Sequence, residues 1–173
     1  MSKRIKMKFV CAVMALALIS VTAMAQQVPQ ISLRSTDGHT VNLAELKGKA
    51  IVLSFGGTWV PLTPKELPAL QKQSDRYAPR GAQFFWVSLN SDKPGTRTSA
   101  TDAELSTFLQ KNNVRLTVLR DPDQQVYKAL GLDGLPTIVI ISEGKVVYKH
   151  VGFGTEQNEG YSEIAKVLEQ LLK

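Results

Sequence analysis

Apolar residues in this chain occur in short runs that predict β-strands. The runs at 50–55 and 83–89 are almost continuous, as expected of central strands that are covered on both faces. Shorter runs predict five further strands, at 31–33, 41–43, 114–119, 137–142 and 145–150. The dipeptides Asp37-Gly38 and Glu143-Gly144 predict turns that join two pairs of these strands into hairpins.

Between the strands, apolar residues spaced three or four apart predict helices. We place the helices at 64–77, from Thr101, from Asp121 and at 160–172. Thr101 and Glu104 have the spacing of a capping box, and Asp121 followed by Pro122 has the composition of a helix start. The order of these elements predicts one alternating α/β domain that closes with an antiparallel hairpin.

The first 25 residues have the pattern of a secretory signal peptide. Basic residues come first, at Lys3, Arg4, Lys6 and Lys8. An apolar segment at 9–21 and the small residues Ala23 and Ala25 follow, so we predict cleavage before Gln26. The apolar segment is short for a membrane span, and an uncleaved N-terminal anchor is the alternative. We therefore predict export to the periplasm or extracytoplasmic envelope, with no stable membrane span after cleavage.

The charge and the rare residue types exclude several function classes. The net charge is +6, but the predicted signal carries four basic and no acidic residues, which leaves +2 on residues 26–173. With no basic stripe, we predict no nucleic-acid binding. The one cysteine is Cys11, inside the predicted signal, so the mature chain can form no disulfide. The two histidines, His39 and His150, are far apart, and there is no phosphate loop. We therefore predict neither a metal nor a cofactor.

Short motifs along residues 28–172 occur in the order and spacing of a known family. They are Gly48-Lys49, Phe55, Thr58-Trp59, the segment 65–68, the segment 121–123, the segment 134–137 and the hairpin at 143–146. With these motifs the chain resembles thioredoxin-like proteins of the exported TlpA/ResA type, which are thiol-disulfide oxidoreductases related to the AhpC/TSA peroxiredoxins. The resemblance implies a thioredoxin-like domain over 26–173, with a central mixed β-sheet flanked by helices and an N-terminal β-hairpin extension. It also implies a cis bond between Leu135 and Pro136 that faces the active-site turn.

The chain departs from this family at the residues that carry the chemistry. Val60 and Thr63 occupy the two positions where the family has cysteine, and Gly56-Gly57 replaces bulkier residues. Thiol exchange needs a thiolate nucleophile and a second thiol that resolves the mixed disulfide. Thr63 also stands where the sulfur of a peroxiredoxin turn would lie. We therefore expect no catalytic residues of the family type.

Thr63 has two interpretations of its own. As a nucleophile it would need an adjacent base, and neither histidine is expected beside the turn. We favour the alternative, in which Thr63 caps the helix, Pro64 takes the first helical position and Glu66 completes a capping box.

The degenerate turn and the proline loop together predict a partner-binding surface. Its candidate residues are Trp59, Val60, Pro61, Leu62, Thr63, Leu135, Pro136 and Thr137. Trp59 is either a remnant that packs against the helix or an aromatic contact for a partner. We predict a non-catalytic module that binds an envelope protein or peptide. The alternatives are a thiol-disulfide oxidoreductase or peroxiredoxin-like enzyme that uses a partner's thiol, and a structural accessory domain.

Overall fold

A computed structural model describes residues 26–153 and 159–173, so the predicted signal peptide and Cys11 lie outside the described residues. The strands of the described part are β1 Ser32–Ser35, β2 Thr40–Asn42, β3 Ala50–Gly56, β4 Ala82–Ser88, β5 Thr117–Arg120, β6 Thr137–Ser142 and β7 Lys145–Val151. Its α-helices are α1 Thr63–Tyr77, α2 Asp102–Lys111, α3 Gln125–Ala129 and α4 Glu159–Leu171. Short 3-10 helices occupy Leu43–Glu45 and Ala78–Arg80.

The described strands form one mixed sheet in the order β2-β1-β5-β4-β3-β6-β7. Strand β4 runs parallel to both β3 and β5, whereas β6 runs antiparallel to β3 and β7 antiparallel to β6. The hairpin of β1 and β2 joins the sheet through β1, which pairs with β5. The mixed sheet and the N-terminal hairpin extension are therefore confirmed. The order places β3, which leads into the turn of residues 57–62, near the middle of the sheet.

The alternation of side chains along β3 divides the apolar core into two layers. Every residue of β3 is buried, as its continuous apolar pattern predicted. Val52 packs in the layer that includes Trp86 and the inward residues of α1, α2 and α4. Leu53 and Phe55 pack in the opposite layer, with α3 and the hairpin. Burying one such side chain contributes about 1.5–3 kcal/mol, so these two layers supply the main favourable term for the fold.

Two predicted boundaries near the third helix were wrong. Helix α3 begins at Gln125 rather than next to Pro122. Gln124 has a left-handed φ of 58°, so a right-handed helix cannot run through it from Pro122. Asp121 nevertheless caps the helix, since its carboxylate accepts hydrogen bonds from the backbone N–H groups of Gln125 and Tyr127 at 2.7 and 2.9 Å. The preceding strand starts at Thr117 rather than 114, after a left-handed residue at Asn113.

The leader before β1 is part of the folded domain. Gln27 pairs with Lys145 in an antiparallel bridge, and Val146 N–H donates to the Gln26 carbonyl at 2.8 Å. The side chain of Gln26 also bonds to the Ala129 carbonyl and to Lys149 Nζ. These contacts add a short extended segment to β7, the last strand of the sheet. Of the helices within 26–153 and 159–173, none has the length and apolar character to cross a membrane.

Candidate functional site

The site of interest is the turn of residues 57–62, which joins β3 to α1. Two backbone hydrogen bonds close it, from Val60 N–H to the Gly57 carbonyl and from Thr63 N–H to the Val60 carbonyl, both 3.1 Å. The turn is also tied to the loop after β4, because Thr58 N–H donates to Asn90 Oδ1 at 3.1 Å and Asn90 Nδ2 donates to Thr58 Oγ1 at 2.8 Å. These bonds fix the turn between the ends of two central strands.

Trp59 lies across the backbone of its own turn. A Cβ at Gly57 would stand 2.3 Å from the Trp59 ring, so only glycine leaves room for the indole in this position. The residue is 39% exposed. The glycine at residue 57 thus has a local steric reason.

The other predicted turn residues divide between surface and interior. Pro61 is exposed and Leu62 is half-buried. Val60 and Thr63 are buried, at 8% and 0% exposure, so neither presents its side chain on the predicted partner-binding surface. The hydrogen bonds at Val60 N–H and carbonyl curl the turn and direct this side chain inward.

The proline loop lies at the end of β3. Thr137 stands opposite Phe55 in the β3–β6 register, which brings Pro136 beside the start of the turn. The bond between Leu135 and Pro136 is cis, as the resemblance implied. Pro136 and Thr137 are buried and Leu135 is half-buried, so only Leu135 of this loop presents a side chain at the surface.

Val151 on β7 is an apolar neighbour of this loop that the sequence did not predict. Val151 is 54% exposed, and its Cγ1 lies 2.4 Å from the place where a Gly134 Cβ would stand. The side chain therefore rests on the backbone next to Leu135. The sequence pattern of β7 indicates which face of the sheet Val151 lies on. Its position beside the proline loop follows from the antiparallel pairing of β6 with β7, in which Val151 is opposite Thr137.

Glu66 has an environment that its sequence position did not predict. The capping box at Thr63 and Glu66 is absent, since Leu62 takes the N-cap position and offers no side-chain hydrogen bond. Glu66 is buried instead, and its Oε1 accepts a hydrogen bond from Ser54 Oγ at 2.8 Å. Burial raises the pKa of the Glu66 carboxyl to about 7, and the bond from Ser54 opposes part of this rise.

The inward stripe of α1 explains why the cap was predicted wrongly. Leu67 and Leu70 face the core, and Glu66 lies four residues before Leu70 on the same stripe. Thr63 lies four residues before Leu67 in the same way. The spacing of Glu66 from these apolar residues was the sequence signal that could have predicted its burial.

This environment also bears on Thr63 as a nucleophile. A carboxyl group does lie one helical turn away, whereas His39 follows the first hairpin turn and His150 stacks on Tyr148 in β7. However, Thr63 has no solvent exposure, so a substrate would have no access to its hydroxyl. The burial of Thr63 therefore gives no support to attack by its hydroxyl.

A pocket of about 440 Å³ opens on the other side of Thr58. Its wall is the outward face of α2, including Ala103, Phe108 and Lys111, and Phe108 stacks on Trp86 with ring centroids 5.7 Å apart. Its volume lies within the range of pockets that hold small ligands, roughly 300–1,000 Å³. Within the part of the chain that the structure describes, no group of three or more His, Cys, Asp or Glu residues could hold a metal ion.

Comparison with known proteins places the chain in a family. The model of the AhpC/TSA family matches residues 24–149. The chain is 32% identical over 129 residues to the thiol-disulfide oxidoreductase ResA of Bacillus subtilis, covering 74% of this chain and 67% of that protein. It is 30% identical over 138 residues to the ResA of Bacillus anthracis, covering 79% and 75%.

Solved structures agree with this assignment. A putative thiol:disulfide interchange protein DsbE from Chlorobium tepidum superposes with a TM-score of 0.69 at 25% identity, covering 83% of this chain and 96% of that one. An uncharacterised protein from Geobacillus kaustophilus has a TM-score of 0.72 at 24% identity, covering 86% and 81%, and supports the fold alone. With the mixed sheet, the proline loop and these matches together, the chain belongs to the AhpC/TSA family, as a thioredoxin-like member of the TlpA/ResA type.

Proposed function

We propose that this chain is an exported thioredoxin-like protein that binds a protein or peptide partner and does not catalyse thiol exchange. One observation carries the proposal: residues 26–173 contain no cysteine, and Cys11 lies in the predicted signal peptide. Exchange requires a thiolate that attacks and a second thiol that resolves the mixed disulfide. Val60 and Thr63 can supply neither, and both are buried.

The surface for the partner is the apolar set around the turn and the proline loop. Its exposed or half-buried members are Trp59, Pro61, Leu62, Leu135 and Val151. Trp59 has the large, partly exposed ring that is common at binding hot spots, and a contiguous apolar patch favours an interaction site. The backbone before Pro136 can pair with an extended segment, and the pocket beside Thr58 can take one of its side chains.

The proposal is tested with the double variant Trp59→Ala/Leu62→Ala. In cells, photo-crosslinking from a probe at Pro61 would identify the partner, and calorimetry with that purified partner would give the affinity. Losing two central contacts should weaken binding at least about tenfold. Val147→Ala is the matched control, since Val147 is 46% exposed but lies away from the turn. Equal binding by the double variant and the control would reject the surface.

The absence of catalysis is tested separately. Purified residues 26–173 should reduce neither a disulfide nor a peroxide catalytically. The Val60→Cys/Thr63→Cys variant restores both thiols on the same scaffold and should acquire disulfide reduction. Turnover by the wild-type protein would overturn the non-catalytic proposal.

A second candidate is an oxidoreductase that borrows a thiol from its partner. The observation in its favour is that relatives 30–32% identical to this chain are named thiol-disulfide oxidoreductases. In this case the wild-type protein together with its crosslinked partner would reduce disulfides, and alkylation of the partner's thiols would stop the reaction.

Export is tested by the mass of the protein recovered from the cell envelope. Cleavage before Gln26 gives a chain that begins at that residue. A full-length mass in the membrane fraction would favour the N-terminal anchor instead.

A further inference from the structure

Three buried polar atoms lie beneath the degenerate turn. They are Thr63 Oγ1, Glu66 Oε2 and Trp86 Nε1, and none of them makes a hydrogen bond to another described residue. The three residues have at most 1% exposure. An unpaired buried polar group costs about 1–3 kcal/mol, so three at one place call for a partner of small size.

Two of these atoms, Trp86 Nε1 and Thr63 Oγ1, lie beside Gly56. A Cβ at Gly56 would stand 3.1 Å from Trp86 Nε1 and 3.2 Å from Thr63 Oγ1. Glu66 lies on the same face of β3, because its other carboxyl oxygen bonds to Ser54, two residues before Gly56 on that strand. Ser54 in turn is the register partner of Trp86 on the neighbouring strand. Two strands and one helix thus bring three unpaired atoms to one side of β3.

The glycine at this position has a spatial reason. Gly56 is not among the glycines with positive φ, so its backbone would accept any residue. A larger residue at this position would fill the space between the Trp86 indole N–H and the Thr63 hydroxyl. The departure from the family at residue 56 therefore makes room beside polar atoms, and polar surroundings favour water over an apolar group.

We propose that this cluster binds a buried water molecule. The water accepts a hydrogen bond from Trp86 Nε1–H, which is a donor only, and donates one to Thr63 Oγ1. Glu66 Oε2 donates to the water while the carboxyl is protonated and accepts from it once the carboxyl is ionised. Three hydrogen bonds are the usual number for a buried water. The water connects β4 to the first turn of α1, so it positions Glu66 and the base of the turn. This inference does not depend on partner binding.

The test uses the indole N–H of Trp86 as the probe. The chain has two tryptophans, so Trp59→Phe leaves Trp86 as the single indole signal. In this variant, water-selective NOE and ROE spectra should show a cross-peak from a long-lived water to Trp86 Nε1–H. A spectrum without that cross-peak in the folded variant would overturn the proposal.

Two further variants separate water from other sources of the signal. Thr63→Val, added to Trp59→Phe, removes the hydroxyl proton that could relay magnetisation, and the cross-peak should persist. Gly56→Ala, in the same background, places a methyl group in the space and should abolish the cross-peak. Loss of the signal in Thr63→Val would assign it to the hydroxyl, and its survival in a folded Gly56→Ala variant would place the water elsewhere. If Gly56→Ala does not fold, the first two variants still decide.

Discussion

The pattern Thr-x-x-Glu occurs at the start of both α1 and α2, and its two copies have opposite environments. At α2, Thr101 Oγ1 accepts from Glu104 N–H at 3.2 Å and Glu104 Oε2 accepts from Thr101 N–H at 2.7 Å, which completes the predicted capping box. At α1, Thr63 and Glu66 turn into the core, and Glu66 bonds to Ser54. The spacing is the same, and the difference is the side of the helix on which the pattern lies. The position of the pattern relative to the apolar stripe of its helix therefore determines whether its two side chains form a surface cap or are buried.

The largest expected effect comes from Glu66. Its folded-state pKa of about 7 lies above the ordinary value of 4.5, so the folded protein holds a proton that the unfolded chain releases. The stability contributed by the neutral carboxyl is fully present below the ordinary value and is lost as the pH rises through the folded-state pKa. The loss amounts to about 3 kcal/mol in the free energy of unfolding. Urea unfolding at pH values from about 4.5 to about 8 measures it.

Glu66→Gln is the control for this dependence, because the amide does not titrate. The free energy of unfolding of the variant should stay flat where that of the wild-type protein falls. Equal slopes for the two proteins would contradict a buried ionisable carboxyl at α1.

A smaller effect is expected from the two threonines. Thr101→Ala removes a helix cap and should lower the free energy of unfolding by about 1 kcal/mol. Thr63→Val removes a hydroxyl that caps no helix, and burial of the added methyl group offsets much of the lost hydrogen bond to the proposed water. The free energy of unfolding of this variant should therefore change by less than about 0.5 kcal/mol. Denaturant unfolding of both variants at one pH makes the comparison. If Thr63→Val were the more destabilised of the two, the assignment of the cap to α2 alone would be wrong.

The smallest effect is expected at Glu104, which lies at the surface. Hydrogen bonds from the backbone and side chain of Thr101 lower the pKa of Glu104. Its contribution is therefore present above the ordinary value of 4.5 and is lost as the pH falls through the lower folded-state pKa, the opposite sign to Glu66. Comparing Glu104→Gln with the wild-type protein in acid measures this, and an unchanged slope in that range would contradict the bond to Thr101.

The fold could be predicted because its signals are local. The continuous apolar runs of β3 and β4 are typical of central strands. The two dipeptide turns indicate where the chain reverses in both hairpins. The boundaries of α3 and β5 were missed because Gln124 and Asn113 take left-handed conformations that their residue types do not require.

The candidate site could be predicted only in part, because burial depends on tertiary contacts. Sequence order located the turn and the proline loop, but it could not show that Val60 and Pro136 face inward. The burial of Glu66 and the approach of Trp86 to Gly56 arise from helix packing and strand register, which no single motif encodes.

The leader on β7 has a consequence for colloidal behaviour. An outer strand with open backbone groups is a template for aggregation, and Gln26–Val28 occupies such groups at Lys145 and Val146. Farther along the same strand Val147 and Val151 are exposed, with Lys149 as a charged interruption between them. A truncation that removed the leader would lengthen the open edge and favour edge-to-edge pairing with the sheet of a second molecule. The three residues of the leader therefore shield the first part of this edge from pairing with another chain.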